Sequence, residues 1–233
     1  MTVMRILIAV AHADDETLGC FSVMQDHPDE VHILHATDSA PRDLKYAWRS
    51  GFATRASYQS ARRAEMRAVL AKAGIGEERY HCLGLADQEA PVYWQQIRAQ
   101  VEAFGADRVY THAYEGGHPD HDAVALALAG LPNVWEFPLY HARGAPFVPG
   151  SFLDGEAEIA VELDADRQRV KRSWLDCFAS QQRVIGMFPI NHEWFRPARA
   201  YDFTQPPHSG ELYYELRKLG WTWREWRDAT LVT

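Results

Sequence analysis

Two short clusters carry most of the side chains able to do chemistry: His12-Ala13-Asp14-Asp15 and His118-Pro119-Asp120-His121. Together they offer three imidazoles and three carboxylates. Carboxylates this close repel one another unless a proton or a cation lies between them. Two histidines and one carboxylate with an open fourth position form a catalytic zinc arrangement. A spare aspartate beside the ligands then has a use, because it can take a proton from an activated water. In the plainer alternative, the Asp-rich turn caps a helix and the His-Pro-Asp-His stretch is a solvated loop. Two such clusters at equivalent places in the chain weigh against it.

Those places follow from the hydrophobic pattern. Ile6 to Ala11 is a short apolar run that stops at His12, which reads as a strand buried on both faces. Thr17–Gln25 reads as a helix and Val31–Thr37 as a second strand, making a βαβ unit with parallel strands. Pro41–Gly51 reads as loop or short helix, and Ser57–Ala73 as a helix ending at Gly74. Arg79–Leu83 is a third strand, followed by a loop holding Asp87. Tyr93–Phe104 is an amphipathic helix with Ile97, Val101 and Phe104 on one face. Arg108–His112 is a fourth strand, and a helix with Pro119 near its first turn ends at Gly130. Val134–Tyr140 and Ala157–Leu163 read as strands and Asp166–Ser180 as a helix. Both clusters therefore stand where a strand gives way to a helix. In a parallel sheet those junctions share the carboxyl edge, where open α/β sheets keep their ligands. The expected fold class is α/β, a Rossmann-like three-layer sandwich with a mainly parallel sheet. One domain over 1–233 is expected, with an aromatic-rich C-terminal extension from about residue 189.

Bulk properties narrow the function. The net charge of −8 argues against a nucleic-acid partner. No apolar run reaches the roughly 20 residues of a membrane helix, and the N-terminus has no signal-peptide pattern. Cys20, Cys82 and Cys177 are too few and too scattered for a disulfide framework, which suits a reducing cytoplasm. A nucleotide-binding domain is disfavoured, because no Gly-x-Gly-x-x-Gly follows the first strand and acids there would repel pyrophosphate.

The two motifs resemble those of the PIG-L/LmbE family of zinc-dependent de-N-acetylases. That family's signature is Ala/Pro-His-Pro-Asp-Asp-Glu after the first strand and His-Pro-Asp-His later. Here the first reads Ala11-His12-Ala13-Asp14-Asp15-Glu16, with Ala13 in place of proline, and the second matches in full. The resemblance runs from residue 4 to about 185 and takes in Arg62, Arg63, Glu65, Asp87, Ser180 and Gln181. It implies that His12, Asp15 and His121 bind zinc or another divalent metal. It implies that Asp14 is the general base acting on the metal-bound water, that His118 stabilises or protonates the tetrahedral intermediate, and that Asp120 orients a histidine. Spacing alone leaves the roles of Asp14 and Asp15 interchangeable.

The implied reaction is hydrolysis of an N-acetyl group from an amino-sugar-containing substrate. The alternatives are an amidase of thiol-sugar conjugates and a deacylase of an antibiotic or lipid-linked sugar. A non-catalytic metal-binding protein is a further class, against which the spare Asp14 counts. Candidate substrate contacts are Arg62, Arg63, Asp87, Tyr114 and His208, the last reaching a site in its own subunit or a neighbour's, which allows a homo-oligomer. Loops 38–56, 84–92 and 141–156 are expected to build the pocket. His112 is read as structural, Glu193 as a fold-stabilising acid, and Cys20 as buried and inert. The expected partner is a small N-acetylated sugar, with no nucleic acid and no membrane span.

Overall fold

The computed structural model describes residues 4–231. The first half alternates strand and helix: β1 (Ile6–Val10), α1 (Asp15–Asp26), β2 (Val31–Pro41), α2 (Leu44–Arg49), α3 (Arg55–Ala73), β3 (Tyr80–Asp87), α4 (Trp94–Phe104), β4 (Arg108–His112), α5 (Pro119–Leu128) and β5 (Val134–Phe137). Then follow β6 (Tyr140–His141), β7 (Val148–Pro149), β8 (Ile159–Glu162), α6 (Ala165–Leu175), α7 (Gln182–Ile185), β9 (His192–Pro197), α8 (Tyr213–Leu216) and α9 (Trp223–Leu231).

Seven strands form one sheet in the order β3-β2-β1-β4-β5-β9-β8. The first five run parallel, while β9 pairs antiparallel with both β5 and β8. β6 and β7 make a separate hairpin. β1 lies at the centre, and successive residues on a strand point to opposite faces. Ile6, Ile8 and Val10 enter one core with Phe21, Met66 and Trp174, whereas Leu7, Ala9 and Ala11 enter a second with Ile97, Val124 and Trp226. That is the three-layer sandwich expected from the continuous apolar run. Full burial of one such Ile or Leu contributes about 1.5–3 kcal/mol, so β1 is a firm base for the turn that follows it.

Two differences from the sequence reading matter. The segment taken as an extension supplies β9, which joins the main sheet, so Trp194 and Phe195 belong to the fold proper. The expected strand Val134–Tyr140 divides at Pro138, with Tyr140 beginning the β6 hairpin. Proline has no N–H to give a ladder.

α1 bends at Cys20, whose dihedrals leave the helical region (φ −132°, ψ 22°). The freed N–H groups of Phe21 and Ser22 donate to the Glu193 carboxylate at 2.9 and 2.8 Å. Lys171 Nζ donates to Glu193 Oε1 at 2.7 Å and to the Leu18 carbonyl at 2.8 Å. Both side chains are buried. A buried ion pair is tolerated when its remaining hydrogen bonds are made, and here they are made by the bend itself. Among the described residues no helix is long and apolar enough to cross a membrane.

Candidate metal centre

β2 and then β3 are laid down on one side of β1, and after β3 the chain crosses to form β4 on the other side. The crevice at such a switch point opens at the carboxyl ends of β1 and β4. His12 leaves the end of β1 and His112 closes β4. His118, Asp120 and His121 start α5 at the same edge.

The first turn is held in an uncommon shape. Asp14 has φ 113° and ψ −29°, strain on the order of 1–3 kcal/mol for a non-glycine residue. Its N–H donates to Glu16 Oε2 at 3.1 Å, and its carbonyl accepts from the Leu18 N–H at 2.8 Å. Glu16 is wholly buried and is itself fixed by His35 Nε2 at 3.0 Å and Thr17 Oγ1 at 2.6 Å. His35 Nδ1 meets Tyr80 Oη at 3.1 Å. The Ala13 N–H donates to Ser39 Oγ at 2.9 Å.

The second motif is shaped by helix capping. His118 Nδ1 accepts the Asp120 N–H at 3.2 Å as the N-cap of α5, with Pro119 in the first turn. That leaves Nε2–H of a neutral His118 facing Asp87 Oδ1 at 3.6 Å. Burial and the neighbouring His12 hold His118 well below the usual imidazole range. Gly117 admits the Tyr140 carbonyl where a side chain would begin, so the loop can approach the β6 hairpin.

The two turns meet. His12 Nδ1 lies 3.3 Å from His121 Nε2 and 3.4 Å from Asp15 Oδ2, and His121 Nε2 lies 3.4 Å from Asp15 Oδ1. Ligands about 2.0–2.2 Å from a tetrahedral zinc stand roughly 3.4 Å apart, so these spacings fit a divalent cation. Asp120, fully buried, faces His12 Nε2 at 3.0 Å and accepts the Gln88 and Ala90 N–H groups at 2.7 and 3.0 Å. With Nε2–H directed to Asp120, Nδ1 is the nitrogen that faces the centre and would give up its proton to a cation. Three sets keep their donor atoms within 4.8 Å of one another: His12 with His118 and His121, His12 with Asp87, His118 and Asp120, and Asp15 with His112 and His121. Asp87 Oδ1 is buried without a hydrogen-bond partner.

Electrostatics match. Burial alone would raise Asp15, but His121 and His112 hold it well below the usual carboxylate range. His12 is raised well above its ordinary value: burial opposes this, and Asp87, Asp120 and Asp15 outweigh it. Asp14 differs from Asp15. Burial pushes it up to about 7, against the pull of Arg62 and with the push of Asp15 and Glu16.

Of the expected substrate contacts, Asp87 lines the cavity above the centre. Arg62 lies beneath the turn, buried, with Nη2 on Asp14 Oδ2 at 3.0 Å and on the Ala13 carbonyl, and Nη1 on Glu65 Oε2 at 2.9 Å. Its two terminal nitrogens are engaged below the cavity, while its Nε is buried without a partner among the described residues. Arg63 is on the exposed side of α3 and faces a different, small recess. Tyr114 is buried in the second core, donating to the Gln205 carbonyl at 2.9 Å and accepting from Trp223 Nε1 at 3.3 Å. It does not line the cavity, because the C-terminal aromatics cover it. His208 packs against His141, ring centroids 6.3 Å apart, and also lies outside the cavity.

His112, read from sequence as structural, stands within the cluster. It is stacked on His121 at 4.1 Å, and its Nε2 accepts the Ala11 N–H at 3.0 Å. Burial and His121 lower it to about 3, so it is a neutral platform. Its place as the last residue of a central strand was the available signal. The cavity of about 290 Å³ is walled by aromatics, Tyr58, Tyr140, Tyr213, Phe147 and Phe188 among them. Each of the three expected loops contributes, through Tyr46, Asp87 and Phe147.

Comparison with solved structures gives the fold independent support. The chain is similar to a teicoplanin deacetylase described in a zinc-inhibited form, with 18% identity, TM-score 0.58, and 77% of this chain and 85% of that one covered. It is similar to the N,N'-diacetylchitobiose deacetylase of Pyrococcus horikoshii, with 17% identity, TM-score 0.56, and 82% of each chain covered. A 4-carboxy-2-hydroxymuconate hydratase from Pseudomonas putida has 17% identity, TM-score 0.54, and 78% and 82% covered. At such identities the likeness is one of fold, and the fold carries more than one reaction. No curated protein matches the chain. The family described as PIG-L, GlcNAc-PI de-N-acetylase, matches residues 7–130, more than half of the sequence and both histidine-aspartate turns. The chain belongs to the PIG-L family of de-N-acetylases.

Proposed function

We propose that the protein is a divalent-metal-dependent N-deacylase that removes acetyl from an amino-sugar-containing substrate. The observation that carries this reading is the convergence of His12, Asp15 and His121, with His12 Nδ1 3.3 Å from His121 Nε2 and each of those nitrogens 3.4 Å from a different Asp15 oxygen, with Asp14 next to them and a cavity above.

His12 Nδ1, Asp15 and His121 Nε2 would hold the cation, with zinc the first candidate from the donor set. When bound, such a cation supplies Lewis-acid polarisation of the amide carbonyl and makes a water easier to deprotonate. Asp14 takes a proton from the attacking water and returns it to the leaving nitrogen, so that amide plus water yields amine plus acetate. A carboxylate titrating near neutrality suits both transfers. Arg62 holds Asp14 from below. His118 offers its Nε2–H to the carbonyl oxygen as negative charge develops there. Asp120 keeps His12 in the ligating tautomer. Asp87, at the cavity wall, accepts from a sugar hydroxyl. Arg63, Tyr114 and His208 are assigned no contact with substrate.

The test is amine release from a panel of free, nucleotide-linked and glycoside-linked N-acetyl amino sugars, with zinc, manganese, cobalt or nickel supplied and then chelated. Release that follows one cation and ceases on chelation is the expected result. No release from any member with any cation overturns the reading.

A further inference from the structure

One wall of the cavity is a tight turn, Ala86–Glu89, closed by the Glu89 N–H donating to the Ala86 carbonyl at 3.0 Å. Asp87 stands second in that turn and lines the cavity. Its Oδ1 lies 3.5 Å from His12 Nε2 and 3.6 Å from His118 Nε2. Gln88 stands third, with φ 75°. A positive φ at that place belongs to type II turns, where glycine adopts it freely. A glutamine there is strained, and it keeps the shape only if its neighbours impose it.

Two hydrogen bonds do so, one at each end of the residue. The Gln88 N–H donates to Asp120 Oδ2 at 2.7 Å, and Asp120 Oδ2 in turn faces His12 Nε2 at 3.0 Å. The Gln88 carbonyl accepts from Trp221 Nε1 at 2.8 Å. Trp221 stands between α8 and α9, 133 positions further along the chain. Beside it, Gly220 lets the backbone come close to the same glutamine: a Cβ there would lie 3.2 Å from Gln88 Oε1. Trp226, from α9, donates its Nε1–H to the Pro119 carbonyl at 2.9 Å. One C-terminal segment therefore grips both the turn that carries Asp87 and the turn that carries His118 and His121. Both tryptophans lie outside residues 7–130, the stretch that matches the family.

We propose that Trp221 is a positioning residue for the centre: its indole N–H holds Gln88 in the left-handed conformation, which keeps Asp120 on His12 and Asp87 on the cavity wall. The proposal rests on the metal-binding part of the deacylase reading and adds to it a requirement for the C-terminal segment. Without that N–H the strain at Gln88 is opposed at one end only. Relaxation toward negative φ then draws the Gln88 N–H away from Asp120, and the carboxylate that directs His12 Nε2 loses one of its two backbone donors, leaving the Ala90 N–H. Trp221 also packs against the second core. An indole that only filled space there would leave the Gln88 N–H where it is.

Trp221→Phe keeps an aromatic ring and removes the donor. Trp94→Phe is the control, because Trp94 Nε1 donates to the Thr230 carbonyl of the same C-terminal segment at 3.2 Å but lies outside the cavity lining. Gln88→Gly, alone and with Trp221→Phe, makes the positive φ free of strain. Two quantities are read: the zinc Kd, by competition with a chromophoric chelator, and amide hydrogen exchange at Gln88 and Ala90 in zinc-free protein, by NMR. In Trp221→Phe exchange at Gln88 is expected to quicken about fivefold or more. The zinc Kd should weaken about three- to tenfold, less than the roughly 10–100-fold of a direct support. Trp94→Phe should leave both within about twofold, and in the Gln88→Gly background Trp221→Phe should change the Kd by less than about twofold.

A Gln88 exchange rate or a zinc Kd within twofold of wild type in Trp221→Phe overturns the proposal. So does an equal change in Trp94→Phe, or an undiminished effect in the Gln88→Gly background. Exchange of the Trp221 indole N–H in wild type is read alongside. Protection is expected, and a free-indole rate overturns the proposal even if Trp221→Phe does not fold. If wild type binds no zinc, the metal-dependent reading falls and exchange alone decides: quickening at Gln88 confined to Trp221→Phe supports the positioning role, and an unchanged rate overturns it.

Discussion

Arg62 Nη2 donates to Asp14 Oδ2 at 3.0 Å from beneath the first turn, so the carboxylate beside His12 and Asp15 is gripped by a buried cation. Arg62 acts against burial in setting the Asp14 proton affinity, which lies at about 7. Removing that positive charge raises Asp14 further. In Arg62→Gln the acid limb of the kcat–pH profile is therefore expected to move to higher pH, while Arg62→Lys moves it less. Profiles measured from pH 5 to 9 check this, and superimposable wild-type and Arg62→Gln limbs would contradict it.

Asp14→Asn keeps the shape and removes the base. The expected loss in kcat is about 10²–10⁴-fold, the usual worth of a positioned general base, with metal content unchanged. Steady-state kinetics together with metal analysis of the same preparation separate this from loss of the centre. Asp15→Asn is expected to lose metal as well.

Asp120 is the support for His12, held in turn by the Gln88 and Ala90 N–H groups. Such supports are worth about 10–100-fold in metal affinity. Asp120→Ala should weaken binding by that order in a competition titration against a chromophoric chelator. His12→Ala and His121→Ala should abolish it.

The strained Asp14 backbone depends on groups outside both motifs. His35 holds Glu16, and Glu16 holds the Asp14 N–H. His35→Ala leaves a buried carboxylate short of one partner, a cost of about 1–3 kcal/mol. It is expected to lower the midpoint of urea unfolding and to reduce kcat more than it raises KM. His35→Gln, which keeps a donor, should recover part of both.

His141 supplies a pH dependence of stability away from the centre. Burial, with His208 and Arg143 beside it, lowers its imidazole to about 4, against roughly 6.5 in an unfolded chain. Between those values the unfolded chain binds the proton and the folded one refuses it. This histidine therefore costs nothing above about pH 6.5 and subtracts stability as pH falls toward 4. Urea midpoints measured between pH 7 and 4.5 should fall less steeply in His141→Gln than in wild type, and equal slopes would refute this.

Much of the centre was legible because its residues cluster in sequence. The apolar run before His12 implied a doubly covered strand, and a parallel sheet then placed the His118 turn on the same edge. What escaped the sequence depended on long-range packing. Tyr114 reads as a pocket residue until Trp223 and Trp226 from α9 are known to cover it. Arg62 reads as a clamp for substrate until α3 is seen to lie below the turn. Trp194 and Phe195 look like any aromatic tail, and only their pairing with β8, beside the Arg196 and Pro197 that pair with β5, makes them sheet. His112 lies outside both sequence motifs, and its position follows from β4 lying against β1.

The bend in α1 has a consequence for how the protein is made. Phe21 and Ser22 wait for Glu193, a residue 172 and 171 positions further along. A ribosome delivers the chain from its N-terminus, so the helix that begins with Asp15 emerges long before the carboxylate that completes it. Until β9 joins the sheet, the nascent helix lacks its clasp at Cys20. Contacts of such sequence separation also form late because they must close a long loop first. The bend in a helix so early in the sequence is thus among the last parts to be finished.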